Sequence, residues 1–275
     1  MTPMDRAVLK APRWGTSVVA YLFAGGVAGG LGIIAALADP REESGRRLRR
    51  TARVATLAVA AACPPILISH LGRPERFLHM LRTFNPRSPM SLGVWGLVAY
   101  SGVAGIAVLK DDDGLAVVQA VLGAFLAGYT GVLLGATAVP LWGAGKAHIP
   151  AASVCSGIAS ACALANGLCA IGGNAGVSGK IERFERLAAG AECAILAHFA
   201  ATRGYGARRL VERVAPALAV ALVAGLVHVP KRRATARTLV AAAATLTAGV
   251  VFRKALIDEG KRSAREPGAG MRQPR

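Results

Sequence analysis

Residues Trp14–Ala38 read WGTSVVAYLFAGGVAGGLGIIAALA, a stretch with no Asp, Glu, Lys or Arg. A helix rises about 1.5 Å per residue, so roughly 20 apolar residues cross a hydrocarbon core of about 30 Å. This run is long enough to do so. Four more uncharged runs follow: Val54–Gly72, Ser88–Leu109, Gly114–Gly145 and Ala147–Gly179. Three further segments are shorter or flawed. Glu192 interrupts Leu187–Thr202, while Val214–Pro230 and Thr238–Phe252 are brief and flanked by Arg213, Arg237 and Arg253. Long arginine stems snorkel and extend a usable span. The expected fold is an all-α integral membrane bundle of about eight transmembrane helices. No stretch alternates polar and apolar residues as a membrane β-barrel strand does.

The composition agrees. Of 275 residues only 17% are charged, yet Lys and Arg (33) outnumber Asp and Glu (15) for a net charge of +18. Soluble domains carry about 25% charged residues. The positive charge here falls in short clusters between long apolar runs, which excludes an ordinary soluble enzyme, a nucleic-acid binder, a disordered basic protein and a disulfide scaffold. The first run is too long for a cleavable signal core. Residues 1–13 therefore read as a polar N-terminal segment, 14–256 as the transmembrane domain and 257–275 as a basic, disordered tail. With eight spans both termini share one side, called here the terminal face. Lys and Arg divide almost evenly between the two faces once the tail is set aside, so positive charge alone hardly orients the chain.

Cysteine and histidine narrow the chemistry. Cys63, Cys155, Cys162, Cys169 and Cys193 all lie within expected helices, and no CxxC occurs. An iron–sulfur cluster has no familiar ligand set here, and the seven-residue spacing of Cys155, Cys162 and Cys169 reads as a stripe of small packing residues. The histidines are His70, His79, His148, His198 and His228. They form no evident pair at matching depth for haem, and no metal ligand set is expected.

The segment between the second and third runs, Ser69–Ser91, reads SHLGRPERFLHMLRTFNPRSPMS. Gly72 and Pro74 end a helix, since glycine accepts the left-handed cap and proline breaks the ladder. Pro74 also suits the first position of a new helix. Phe77, Leu78, Leu81 and Phe84 share one face of that segment, which predicts a short amphipathic helix at the interface. Asn85-Pro86 stops it, and Ser88-Pro89 supplies the cap and first-turn proline of the next span.

Taken together, LGRPERFLHMLRTFNPRSPMSLGVWGL, YLFAGGVAGG in the first span and GYTGVLLGATAVPLW in the fourth resemble the polysulfide-reductase and nitrite-reductase membrane subunits, the NrfD/PsrC family. The resemblance implies a multi-pass subunit of a bacterial oxidoreductase complex in the cytoplasmic (inner) membrane. Such a subunit binds menaquinone or ubiquinone and exchanges electrons with a docked ferredoxin-like subunit carrying [4Fe-4S] clusters. That partner serves a molybdopterin or multihaem catalytic subunit, and the membrane subunit itself holds neither haem nor iron–sulfur cluster. The lipid bilayer is the other expected partner, and nucleic acid is not one.

By position, the family's quinone pocket falls on Tyr21, His70 and Tyr129. Relatives can carry His at the first of these and an acidic residue at the second. The residue types are also reasonable on their own. A quinone head needs hydrogen-bond donors to its carbonyls, and a quinol needs a proton acceptor. Tyr21 shares a helical face with Gly25 and Gly29, so it points into the bundle. His70 is a helix-end group with an ordinary pKa near neutrality, and Tyr129 sits between Gly128 and Gly131. The ends of the first, second and fourth spans that carry them all belong to the terminal face.

Glu192 is the sharpest anomaly, because a carboxylate inside a span costs about 2.5–3.5 kcal/mol to insert. Glu185 lies on the same helical face, with Arg186 nearby. Together they read as a proton path or, alternatively, as a buried ion pair or neutral acid. Arg73, Arg76, Arg82 and Arg87 make a cationic surface for partner docking, with interfacial snorkelling as the plainer reading. The clusters Arg46–Arg50 and Lys231–Arg233 lie on the opposite face and read as topology signals, which would make that face cytoplasmic. Two other functions stay open at this point: a membrane anchor with a degenerate quinone site, and a proton-coupled transporter using Glu192.

Overall fold

The computed structural model describes residues 12, 14–71, 75–173, 178–227 and 233–266. Among them it contains ten helices: α1 (Thr16–Leu37), α2 (Glu43–Leu71), α3 (Glu75–Arg82), α4 (Pro89–Leu109), α5 (Asp113–Gly135), α6 (Pro140–Ala144), α7 (His148–Ile171), α8 (Ser178–Arg203), α9 (Tyr205–Leu226) and α10 (Ala234–Arg265). Six of these, α1, α2, α4, α5, α7 and α10, are long and apolar enough to cross a membrane. The all-α membrane bundle is therefore as expected. The other two long helices, α8 and α9, carry charged first halves and do not qualify, so among the described residues six spans stand where eight were expected.

Helix α1 is the hub. It packs against α2, α5, α7 and α10, and its buried face is mostly glycine, alanine and valine. The α1–α5 crossing is at Gly29 and Gly123, where a methyl group on either glycine would run into the other's backbone. The α1–α7 crossing is at Gly26, Gly30 and Gly157 in the same manner. Apolar surface gains little by leaving lipid, so close backbone approach and dispersion hold such helices together. Glycine at these positions is a steric requirement.

The two faces are identified by their contacts. On the terminal face Trp14 stacks on Trp142, with ring centroids 5.1 Å apart. The Trp142 indole N–H donates to the Leu256 carbonyl at 2.9 Å, and the Lys261 ammonium donates to the Trp14 carbonyl. The start of α1, the α5–α6 hairpin and the end of α10 thus meet there. On the opposite face the buried guanidinium of Arg49 binds Asp113 at 2.6 Å and Asp111 at 3.3 Å, and Arg53 binds Asp111 at 2.7 Å. This clamp ties α2 to the α4–α5 turn.

Three boundaries differ from the sequence reading. Helix α2 begins at Glu43, so Arg46–Arg53 are helical; Glu43 pairs with Arg46 and Arg47, and Arg49 joins the clamp. Helix α8 begins at Ser178, because its early charges find partners on α10 rather than forming a loop. The tail reading fails for residues 257–265, which continue α10, with Ile257, Glu259 and Ala264 buried. Their apolar face packs beneath α6, and Arg213 on α9 holds Glu259 at 2.9 Å.

The glycine crossings make a direct prediction. Gly29→Leu and Gly30→Leu each force the α1 seam apart and lower stability by about 1–3 kcal/mol or more. Gly102→Leu, at a position with open space around it, leaves the melting temperature of the purified protein unchanged. Thermal unfolding in detergent checks all three.

Candidate functional site

The short connector forms as its sequence predicts. Helix α3 covers Glu75–Arg82, and the Ser88 side chain caps α4 by accepting from the Ser91 N–H at 3.4 Å, with Pro89 in the first turn. Asn85 receives a bond from the Arg87 N–H, and Phe84 packs edge-on against Trp95. The Pro89 carbonyl then points at α5, where it accepts the Tyr129 hydroxyl at 2.9 Å. A cleft of about 310 Å³ opens at this place, lined by His79, Thr83, Asn85, Ser88, Met90 and Ser91. Ser88 and Met90 flank the proline that Tyr129 holds.

Tyr21 and Tyr129, far apart in sequence, are both buried at this end of the bundle and lie within electrostatic reach of each other. Tyr21 belongs to a core cluster with Leu22, Cys63, Leu97 and Leu126, flanked by Ile66 and Leu67 near the end of α2. The Tyr129 ring rests on Gly93 of α4, where any side chain would strike it. Gly131 likewise lets the backbone of α5 touch Pro150 of α7. The glycines around the tyrosine are there to bring three helices together. His70 lies in α2, but its side chain is outside the described residues, as is that of Arg76; Arg73 lies outside them altogether. Arg82 and Arg87 are exposed at the same end.

A second polar group occupies the bundle interior. Glu192 on α8 is buried, and its Oε1 has no hydrogen-bond partner among the described residues. It faces Ser156 of α7 and Arg253 of α10. Arg253 corrects the sequence reading: it does not snorkel at a helix end but lies fully inside the bundle. Its guanidinium donates to the Ser156 hydroxyl and to the Ser153 carbonyl, the latter at 3.1 Å. It packs over the Phe252 ring and against Gly26 of α1. The carboxylate and guanidinium are joined through Ser156 rather than by a direct ion pair.

Glu185 lies two turns from Glu192 towards the opposite face and accepts the Thr245 hydroxyl at 2.7 Å. With Asn166, Glu182, Arg186 and Arg237 it lines a narrow cavity of about 20 Å³, space for one water. Arg237 and Arg186 both reach Glu182 at the outer end. Glu182, Glu185 and Glu192 therefore run in order from the opposite face towards the interior, where Arg253 touches the helix that carries Tyr21.

Histidine pairing is what sequence reasoning missed. His148 Nε2 and His198 Nδ1 are 2.9 Å apart, with the rings stacked at 5.1 Å beside Phe199. The two residues start α7 and approach the end of α8, so only the antiparallel packing of those helices brings them together. Among the described residues no group of three or more His, Cys, Asp or Glu side chains is arranged to hold a metal ion.

Breaking one side of a buried charge pair leaves the other uncompensated, which costs about 3–5 kcal/mol. Arg253→Met should therefore destabilise the protein by that order. Adding Glu192→Gln to it recovers part of the loss, as measured by a double-mutant cycle on thermal unfolding.

Residues 8–111 match the family model described as polysulphide reductase, NrfD. No curated protein matches the chain. The matched segment runs from the N-terminal region through α1, α2, the connector and α4, and it includes Tyr21 and His70. Over these residues, fewer than half of the 275, the chain is similar to the NrfD polysulphide reductase family, and its six long apolar helices make it a multi-pass membrane protein.

Proposed function

We propose that this membrane protein, similar over residues 8–111 to the NrfD family, is a subunit of an oxidoreductase complex and exchanges electrons between menaquinone or ubiquinone and a docked ferredoxin-like [4Fe-4S] subunit. That subunit in turn serves a molybdopterin or multihaem catalytic partner in a bacterial cytoplasmic membrane. The observation that carries the reading is the convergence of Tyr21, Tyr129 and the end of α2 beside the cleft under α3 and α4. A quinol giving up two electrons must also release two protons. Tyr21 and Tyr129 are the hydroxyls that would orient its head, and His70 the group that would accept a proton at neutral pH.

Docking fits the same end. Arg82 and Arg87 are exposed there, and docking of the iron–sulfur subunit is proposed at these two together with Arg73 and Arg76, whose side chains lie outside the described residues. The acidic line Glu185–Glu192 is the proposed proton path from the opposite face, entered past Arg186 and ending at Arg253. Its one-water cavity and the unpartnered Glu192 oxygen support that role.

The test is quinol-dependent reduction of the co-purified iron–sulfur partner. Tyr129→Phe and His70→Ala should each lower the rate about tenfold or more in an assembled complex, the equivalent of one lost hydrogen bond of about 1.4 kcal/mol. A wild-type complex that is intact but inactive in both directions would make the chain an anchor. Absence of any iron–sulfur partner would favour transport.

A further inference from the structure

On the opposite face a cavity of about 280 Å³ opens between the last turn of α1, the start of α2 and the start of α8. Its wall is apolar, formed by Ile34, Leu37, Leu48, Ile181 and Phe184, and it reaches Cys162 on α7. Cys162 lies nine residues, or about 13.5 Å, inside the end of α7 at Ile171. The cavity is thus a shaft directed into the membrane. Its mouth carries charge of both signs. Asp39 and Glu42 stand on the α1–α2 turn, and the Lys180 ammonium of α8 donates to both Glu42 oxygens at 3.0 Å. Lys180 is 83% and Glu42 50% exposed, so this pair contributes little on its own and is readily exchanged for another partner. Among the described residues the Asp39 carboxylate accepts one bond, from the Arg41 N–H at 2.9 Å, and a carboxylate takes several.

We propose that this cavity is a binding site for a zwitterionic aminophospholipid such as phosphatidylethanolamine. One acyl chain fills the shaft down to Cys162, the primary ammonium binds the Asp39 and Glu42 carboxylates, and the phosphate binds Lys180. The charge pattern selects the head group. A purely anionic lipid would set its phosphate against two carboxylates with no ammonium to answer them. A choline head group carries no N–H to donate. An uncharged head offers no charge to Asp39, Glu42 or Lys180. Bound lipid wedges the α1–α2 turn against α8. The assignment is independent of the quinone reading.

The test is native mass spectrometry of the delipidated full-length chain titrated separately with phosphatidylethanolamine, phosphatidylcholine, phosphatidylglycerol and a short-chain ubiquinone. Phosphatidylethanolamine should bind at least tenfold more tightly than the other three. Asp39→Asn with Glu42→Gln should remove that preference while the melting temperature of the lipid-free protein stays unchanged. Equal binding of the three phospholipids, tighter binding of the quinone, or a preference that survives the double substitution would overturn the proposal.

Discussion

The rest of the molecule depends on how closely α1 approaches two neighbours at once. In a bilayer the hydrophobic effect does not press helices together, so cohesion comes from backbone proximity and from polar contacts between helices. Gly26, Gly29 and Gly30 on α1, Gly123 on α5 and Gly157 on α7 provide that proximity. Once α1 is seated between α5 and α7, Tyr21 and Tyr129 come within electrostatic reach of each other at one end, and the Arg253 guanidinium fits against Gly26 in the middle. A larger side chain at Gly26 would occupy the space that the guanidinium needs. The arrangement of helices and the placement of chemistry thus have a single steric origin.

The charged residues are divided by task. Arg49 and Arg53 close the opposite face by binding the acidic α4–α5 turn, which fixes the register of α2. Arg253 and Glu192 sit in the interior, where ionised groups are costly unless they compensate each other. Ser156 accepts from the Arg253 guanidinium and lies beside Glu192, so neither charge is isolated. Glu182, Glu185, Arg186 and Arg237 form a third group between α8 and α10, with room for a single water. The three groups descend from surface to centre, and the innermost touches the helix that bears Tyr21. On the proposed function, that geometry would link a redox site at one face to protons at the other.

Much of this was legible in sequence because it is local. Uncharged runs mark the apolar spans, and Ser88-Pro89 marks the start of α4. Amphipathic spacing marks α3, and a lone carboxylate marks Glu192 as special. What escaped is what depends on partners distant in sequence. Arg253 looks like a flanking residue when only α10 is considered; its serine and glutamate partners lie on α7 and α8. The early charges of α8 look like a loop until Thr245 and Arg237 are seen across from them. Residues 257–265 look like a polar tail because their lysines and arginines mask the apolar face that packs beneath Trp142. The stacking of His148 on His198 likewise requires knowing that α7 and α8 run antiparallel.

The central claim is that a quinone head lies where the ends of α1, α2 and α5 converge. Photolabelling of the intact complex with an azidoquinone, followed by peptide mapping, tests this most directly. The account predicts label on the peptides carrying Tyr21, His70 or Tyr129, suppressed by excess unlabelled quinone. Competable label confined to α8, α9 and α10 would contradict it.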